Sequence, residues 1–191
     1  MLVSDSHRFI YFHIPKTGGT SVKEALSDIS YQMVRPHNNV AKAREVLGNK
    51  TFDSYFKFAT VRNPWDKMVS AYEYERQAHP ESFQKGAELY GKESFEQYLR
   101  HMIAAHPGWQ RQLRWIGEDG GLALDAVMRF ERLQKDFDDV CVYLHIPARK
   151  LPHSRTTRRK YYPSYYNAET KKLLADHAAV DIEGFRYRFG G

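Results

Sequence analysis

Residues 15 to 21 read Pro-Lys-Thr-Gly-Gly-Thr-Ser. They set a cation, Lys16, and three hydroxyls, Thr17, Thr20 and Ser21, around two glycines. Gly18 and Gly19 can take positive φ and let backbone come close to a ligand. A turn of this kind aims backbone N–H groups at one point, which suits phosphate or sulfate. It is not a Walker A loop: in GxxxxGK[ST] the lysine follows the last glycine, and here Lys16 precedes both. A second constellation starts at Arg62, with Ser70 eight residues on. An arginine fork and a hydroxyl on adjacent elements make a second oxyanion site. Two anion sites at neighbouring strand ends suit a nucleotide with phosphate on both sides of its ribose.

The flanking sequence supplies elements to hold both sites. Phe9 to Ile14 is an apolar run with one histidine, the composition of a buried strand, and Pro15 ends its ladder. Thr20 and Ser21 are residue types that cap helices. Val22, Ala25, Leu26 and Ile29 then give one apolar helical stripe. Tyr55 to Val61 reads as a second buried strand. Asn63 is an N-cap and Pro64 is pre-set for the first helical position, with Trp65, Met68, Val69 and Tyr72 as the buried face. Between them, Tyr31 to Pro36 reads as irregular, and Val40 to Leu47 reads as a short helix with an asparagine cap and Gly48 as its stop. Gln77 to Lys92 is polar and reads as a loop, and Ser94 to Ile103 as a helix. Ala126 to Phe130 reads as a strand. Leu133 to Leu144 is an amphipathic helix with Cys141 on its packing stripe. Residues 152–166 form a basic and aromatic loop, followed by a helix from Ala168 to Ala178. Strands alternating with helices indicate an α/β fold with a mostly parallel sheet flanked by helices. Ligands sit beyond the carboxyl ends of such strands.

Composition bounds the function. A chain of 191 residues, 42% hydrophobic and 27% charged, is expected to be a single globular domain with a real core. No apolar run approaches the ~20 residues of a membrane span, and no secretory leader is recognised at residues 1–8. The single cysteine, Cys141, forbids an internal disulfide. A cytoplasmic location is the expectation that follows. The formal charge of +6 suits an anionic cofactor, an acidic glycan or nucleic acid, without choosing between them. The nine histidines are scattered, with no HExxH or CxxC, so no metal is expected.

The loop PKTGGTS after a strand resembles the 5′-phosphosulfate loop of sulfotransferases that use 3′-phosphoadenosine 5′-phosphosulfate (PAPS). The block Phe58 to Tyr72 resembles the family's 3′-phosphate motif. Phe130-Glu131-Arg132-Leu133 with Asp136-Phe137, then Leu151-Pro152-His153, Tyr165-Tyr166, Asp181-Ile182 and Phe185-Arg186-Tyr187 follow in the order found in carbohydrate sulfotransferases of the heparan 2-O and chondroitin 4-O kind and their bacterial relatives. The resemblance covers about residues 8 to 189 and implies a P-loop NTPase-like three-layer fold in one sulfotransferase domain, residues 1–191. The Golgi members are longer and carry a membrane anchor; a compact cytoplasmic form without either is the expectation for this chain.

The resemblance also implies roles. Lys16 would stabilise charge on the bridging oxygen as 3′-phosphoadenosine 5′-phosphate (PAP) leaves. Thr17, Gly18, Gly19, Thr20 and Ser21 would cradle the 5′-phosphate, and Arg62 with Ser70 would hold the 3′-phosphate. An acceptor hydroxyl needs a base with a pKa near working pH. His37, between the two motifs, occupies the stretch where the related carbohydrate enzymes place theirs; His13 and Glu73 are the alternatives. Arg155, Thr157 and Lys160 resemble contacts of a loop that folds over the nucleotide. The expected reaction is transfer of a sulfuryl group from PAPS to an acceptor hydroxyl, with a glycan as the expected acceptor. A P-loop kinase and a non-catalytic PAP-binding module are the rivals. Arginines beside Tyr161, Tyr162, Tyr165 and Tyr166 could also grip a nucleic-acid strand, but that reading leaves the paired oxyanion sites unexplained.

Overall fold

The structure is a computed structural model that describes residues 1–33, 38–90, 94–118, 121–153 and 157–191, with residues 89 and 90 described by backbone alone. His37 and Arg155 lie outside the described residues. In chain order the strands are β1 (Leu2–Ser4), β2 (Phe9–Phe12), β3 (Tyr31–Gln32), β4 (Phe56–Val61), β5 (Gly117–Glu118), β6 (Gly121–Leu122) and β7 (Ala126–Arg129). The helices are α1 (Gly19–Ala25), α2 (Val40–Leu47), α3 (Asn49–Ser54), α4 (Pro64–Ala78), α5 (Pro80–Tyr90), α6 (Phe95–Ala105), α7 (Leu113–Ile116), α8 (Leu133–Tyr143), α9 (Ala168–His177) and α10 (Ala179–Gly184), with single 3₁₀ turns at Phe130–Arg132 and Tyr162–Tyr165. These elements gather into two compact units, Met1–Arg62 with Gln112–Arg155, and Asn63–Arg111 with Thr156–Gly191.

The first unit carries a five-stranded sheet in the order β3-β1-β2-β4-β7. β2 pairs parallel with β4, and β4 with β7. β1 runs antiparallel to both β2 and β3, so four of the five strands point one way. The fold class read from the sequence holds at this level: a mixed α/β unit with a mostly parallel sheet and helices against it. The residues of β2 are completely buried, which is why they read as a continuous apolar run rather than an alternating one. Phe9, Tyr11 and Phe58 pack with Val22 of α1, with Leu26 just after it, and with Phe137, Val140 and Cys141 of α8 in one core. Each fully buried apolar side chain there is worth roughly 1.5–3 kcal/mol.

Several elements differ from the sequence reading. β1 and β3 form a short antiparallel edge that residues 1–8 and 31–36 did not suggest. α3 follows α2 immediately, because Gly48 adopts φ 76° and turns the chain between them. The strand expected to reach Phe130 ends at Arg129. Within the stretch 77–92 expected as a loop, residues 77–90 are largely helical: α4 runs to Ala78 and α5 occupies Pro80–Tyr90.

The second unit is helical and built on α4. Asn63 caps it by accepting the Trp65 N–H at 3.2 Å, with Pro64 at the first helical position. Every residue from Pro64 to Glu73 is buried, not just the expected face. Trp65, Met68, Val69 and Tyr72 join Phe95, Tyr98, Leu99 and Met102 of α6 and Leu174 of α9 in a second core. Lys67 is fully buried as well; its ammonium donates to the Trp109 carbonyl at 3.0 Å and lies 3.9 Å from the centre of the Trp109 ring. That arrangement compensates a buried charge. Among the described residues no helix is long and apolar enough to cross a membrane.

Candidate active site

The loop after β2 is shaped by two left-handed residues. Lys16 has φ 65° and Gly18 φ 84°. Gly18 is the N-cap of α1 and makes no side-chain capping bond. The expectation that Thr20 and Ser21 cap the helix is therefore corrected: the glycine turns the chain, and both residues lie in the first helical turn. Thr17 is completely buried and its hydroxyl donates to the Ile14 carbonyl at 2.9 Å. The Ser21 N–H donates back to the Gly18 carbonyl at 3.1 Å. Both donors are thus engaged in forming the turn.

Close packing explains the two glycines. A Cβ on Gly19 would stand 2.0 Å from Cδ2 of His13, and one on Gly18 would stand 2.9 Å from Leu133 Cδ2 and 3.0 Å from Phe130 Cδ2. His13, a candidate base, is a half-buried residue whose ring packs on the loop backbone and lies near-parallel to Tyr11 with centroids 6.4 Å apart. Phe130 and Leu133, read from the sequence as a strand end, a helix start and part of a family marker, pack beneath Gly18.

Arg62 follows the last residue of β4 and is only 4% exposed. Its Nη1 donates to the carbonyl of Lys16 at 3.0 Å, and its guanidinium lies over the Phe130 ring at 3.8 Å. The arginine of the second motif is therefore bonded to the lysine of the first. Its backbone is held by Gln112, a fully buried residue absent from the sequence reading. Gln112 Oε1 accepts the Arg62 N–H and Gln112 Nε2 donates to the Arg62 carbonyl, both at 2.8 Å. No local pattern marks this glutamine, which lies 50 residues away in sequence.

In the second unit Ser70 is a nearly buried residue of α4. One turn on, Glu73 is 3% exposed. Its carboxylate accepts from Tyr165 Oη at 2.8 Å, Arg76 Nη2 at 2.7 Å and Gln77 Nε2 at 2.7 Å. Burial pushes this carboxyl up, but the bonds from Tyr165, Arg76 and Gln77 outweigh it and hold it below the usual carboxylate value. Three donors thus engage this carboxylate in a network within the second unit. The same network anchors the basic segment. Gln77 Nε2 donates to the Arg158 carbonyl at 2.8 Å and Gln77 Oε1 accepts the Arg158 N–H at 3.1 Å. Arg159 pairs with Asp66 at 2.5 Å, and the Lys160 N–H donates to Tyr165 Oη at 3.3 Å. Thr157 is half-buried and Lys160 exposed. Among the described residues no group of three His, Cys, Asp or Glu stands ready to hold a metal ion.

Known proteins match the chain along most of its length. Carbohydrate sulfotransferase 14 of Mus musculus is 24% identical over 207 residues, covering 93% of this chain and 53% of that protein, and its Homo sapiens counterpart matches to the same extent. Carbohydrate sulfotransferase 10 of Xenopus laevis is 29% identical over 149 residues, 68% of this chain and 37% of that protein. The chain thus spans about half the length, or less, of these relatives. The Sulfotransferase family matches residues 1–187. A chain matched over nearly its whole length in this way, with the Lys16 loop and Arg62 brought together in one unit, belongs to the Sulfotransferase family.

Proposed function

We propose that this protein transfers the sulfuryl group of PAPS to a hydroxyl of a carbohydrate and releases PAP. The observation that carries the reading is the hydrogen bond from Arg62 to the Lys16 carbonyl at 3.0 Å. It brings residues of the two motifs into contact, which supports reading them as parts of one nucleotide site. The carbohydrate acceptor is carried over from the names of the relatives. The relation to P-loop NTPases belongs to the proposal too, supported by parallel strands β2 and β4 that each end in a turn rich in anion-binding residue types.

In this reaction the acceptor oxygen attacks sulfur in line while the bond from sulfur to the bridging phosphate oxygen breaks. Charge grows on that bridging oxygen, and the Lys16 ammonium meets it. Because the Thr17 hydroxyl is given to Ile14, Thr17 serves the turn, and the 5′-phosphate cradle falls to the N–H groups of Gly18, Gly19 and Thr20 and the hydroxyls of Thr20 and Ser21. Arg62 is assigned to the 3′-phosphate, the role its motif also gives Ser70, and Arg155, Thr157 and Lys160 are assigned to the nucleotide by the family resemblance alone. His37 takes the acceptor's proton. Glu73, whose carboxylate is engaged by Tyr165, Arg76 and Gln77, and His13, packed against the loop, are the alternatives.

Calorimetric titration with PAP and with ATP plus Mg²⁺ tests the donor. Binding of PAP in preference to ATP is expected. Preference for ATP plus Mg²⁺ would favour the kinase reading and overturn this one.

A further inference from the structure

We infer that Gln112 is a positioning residue for the donor site, acting through Arg62. The inference rests on the donor reading above. Arg62 is the last residue of the first unit before the chain leaves it, and Gln112 is the residue at which the chain returns. β4 ends at Val61, so the Arg62 peptide groups lie beyond the sheet's ladder. The Gln112 carboxamide replaces the missing strand partner: it takes the Arg62 N–H and supplies a donor to the Arg62 carbonyl, each at 2.8 Å. It is fully buried, where an amide is kept only if it is hydrogen-bonded.

The result is a chain of contacts with little slack. Gln112 fixes the Arg62 backbone. The Phe130 ring, 3.8 Å from the guanidinium carbon, fixes the plane of the fork. The fork then bonds the carbonyl of Lys16. An arginine held in this way meets an oxyanion without first losing rotamer freedom, which is where a preorganised site gains its affinity. Gln112 itself touches no ligand in this account; its effect is carried by the arginine.

The test compares PAP with AMP, which differ only in the 3′-phosphate. Gln112→Met keeps the length and burial of the side chain and removes both bonds. It is expected to weaken PAP by on the order of tenfold, the scale of one charge-assisted contact, while AMP changes much less. In an Arg62→Ala background the same substitution should add no further loss for PAP, because the group it positions is gone. Equal losses for PAP and AMP, or a full loss persisting without Arg62, would make Gln112 merely structural and overturn the inference while leaving the donor reading intact. A wild-type chain that prefers PAP no more than AMP would overturn both. If Gln112→Met does not fold, Gln112→Glu carries the same comparison, since it keeps the acceptor for the Arg62 N–H and sets a carboxylate oxygen against the Arg62 carbonyl.

Discussion

Lys16 carries two burdens at once. Its backbone holds φ 65°, a conformation that costs a residue with a Cβ about 1–2 kcal/mol, and its side chain is assigned to the leaving group. The two can be separated. Lys16→Ala should lower turnover far more than PAP affinity, because the charge matters most in the transition state. Lys16→Gly removes the same charge and relieves the backbone, so it should lose as much turnover while unfolding no more easily than wild type. Steady-state kinetics and urea unfolding check both; turnover near wild type in either variant would end the catalytic assignment. At Gly19 the limit is steric. A methyl group would sit within the His13 ring, so Gly19→Ala should destabilise the fold by about 1–3 kcal/mol and impair PAP binding, and adding His13→Ala should restore part of both losses. His37→Ala should cut turnover by roughly 10²–10⁴-fold with PAP binding retained, as measured by kinetics and calorimetry. A small change would move the search for the base elsewhere.

At the scale of elements, α4 and α8 do contrasting work. α4 fastens the 158–160 segment through Glu73, Gln77 and Asp66. Glu73 has a folded pKa below its ordinary value of 4.5. A depressed carboxyl contributes stability above its unfolded pKa and loses it as pH falls through the folded one. The stability gap between wild type and Glu73→Gln should therefore be largest near neutral pH and should close below about pH 4.5, as read from urea unfolding across pH. A gap independent of pH would mean that the charge is not what anchors the network. α8 instead seals the sheet. Its Cys141 is 1% exposed and burial pushes the thiol up, so a thiol reagent should label the chain only after denaturation. These two helices were legible in sequence because their apolar positions repeat at helical spacing over long runs. α5 was not, because Glu81, Gln84, Lys85 and Glu88 make the stretch read as polar and Pro80 reads as a breaker rather than a helix start.

At the scale of the whole molecule, the sequence revealed what is local and concealed what is not. The buried parallel strands read correctly because apolar residues run without alternation when both sheet faces are covered. The edge strands β1 and β3, of three and two residues, are too short to carry a periodic signal. The Lys16 loop and Arg62 were recognisable by residue type and spacing. Their direct bond was not, since a side chain reaching a carbonyl 46 residues away leaves no trace in spacing. Gln112 is the extreme case: a single polar residue whose importance comes entirely from where the fold returns it. The measurement that bears most directly on the account is sulfur transfer itself. PAPS labelled in its sulfate is incubated with the protein and a panel of glycans, and label in glycan is followed together with PAP release. The account predicts equal amounts of labelled glycan and PAP with wild type, and near loss of both with Lys16→Ala. PAP bound tightly, with no label reaching any glycan or simple alcohol, would contradict it.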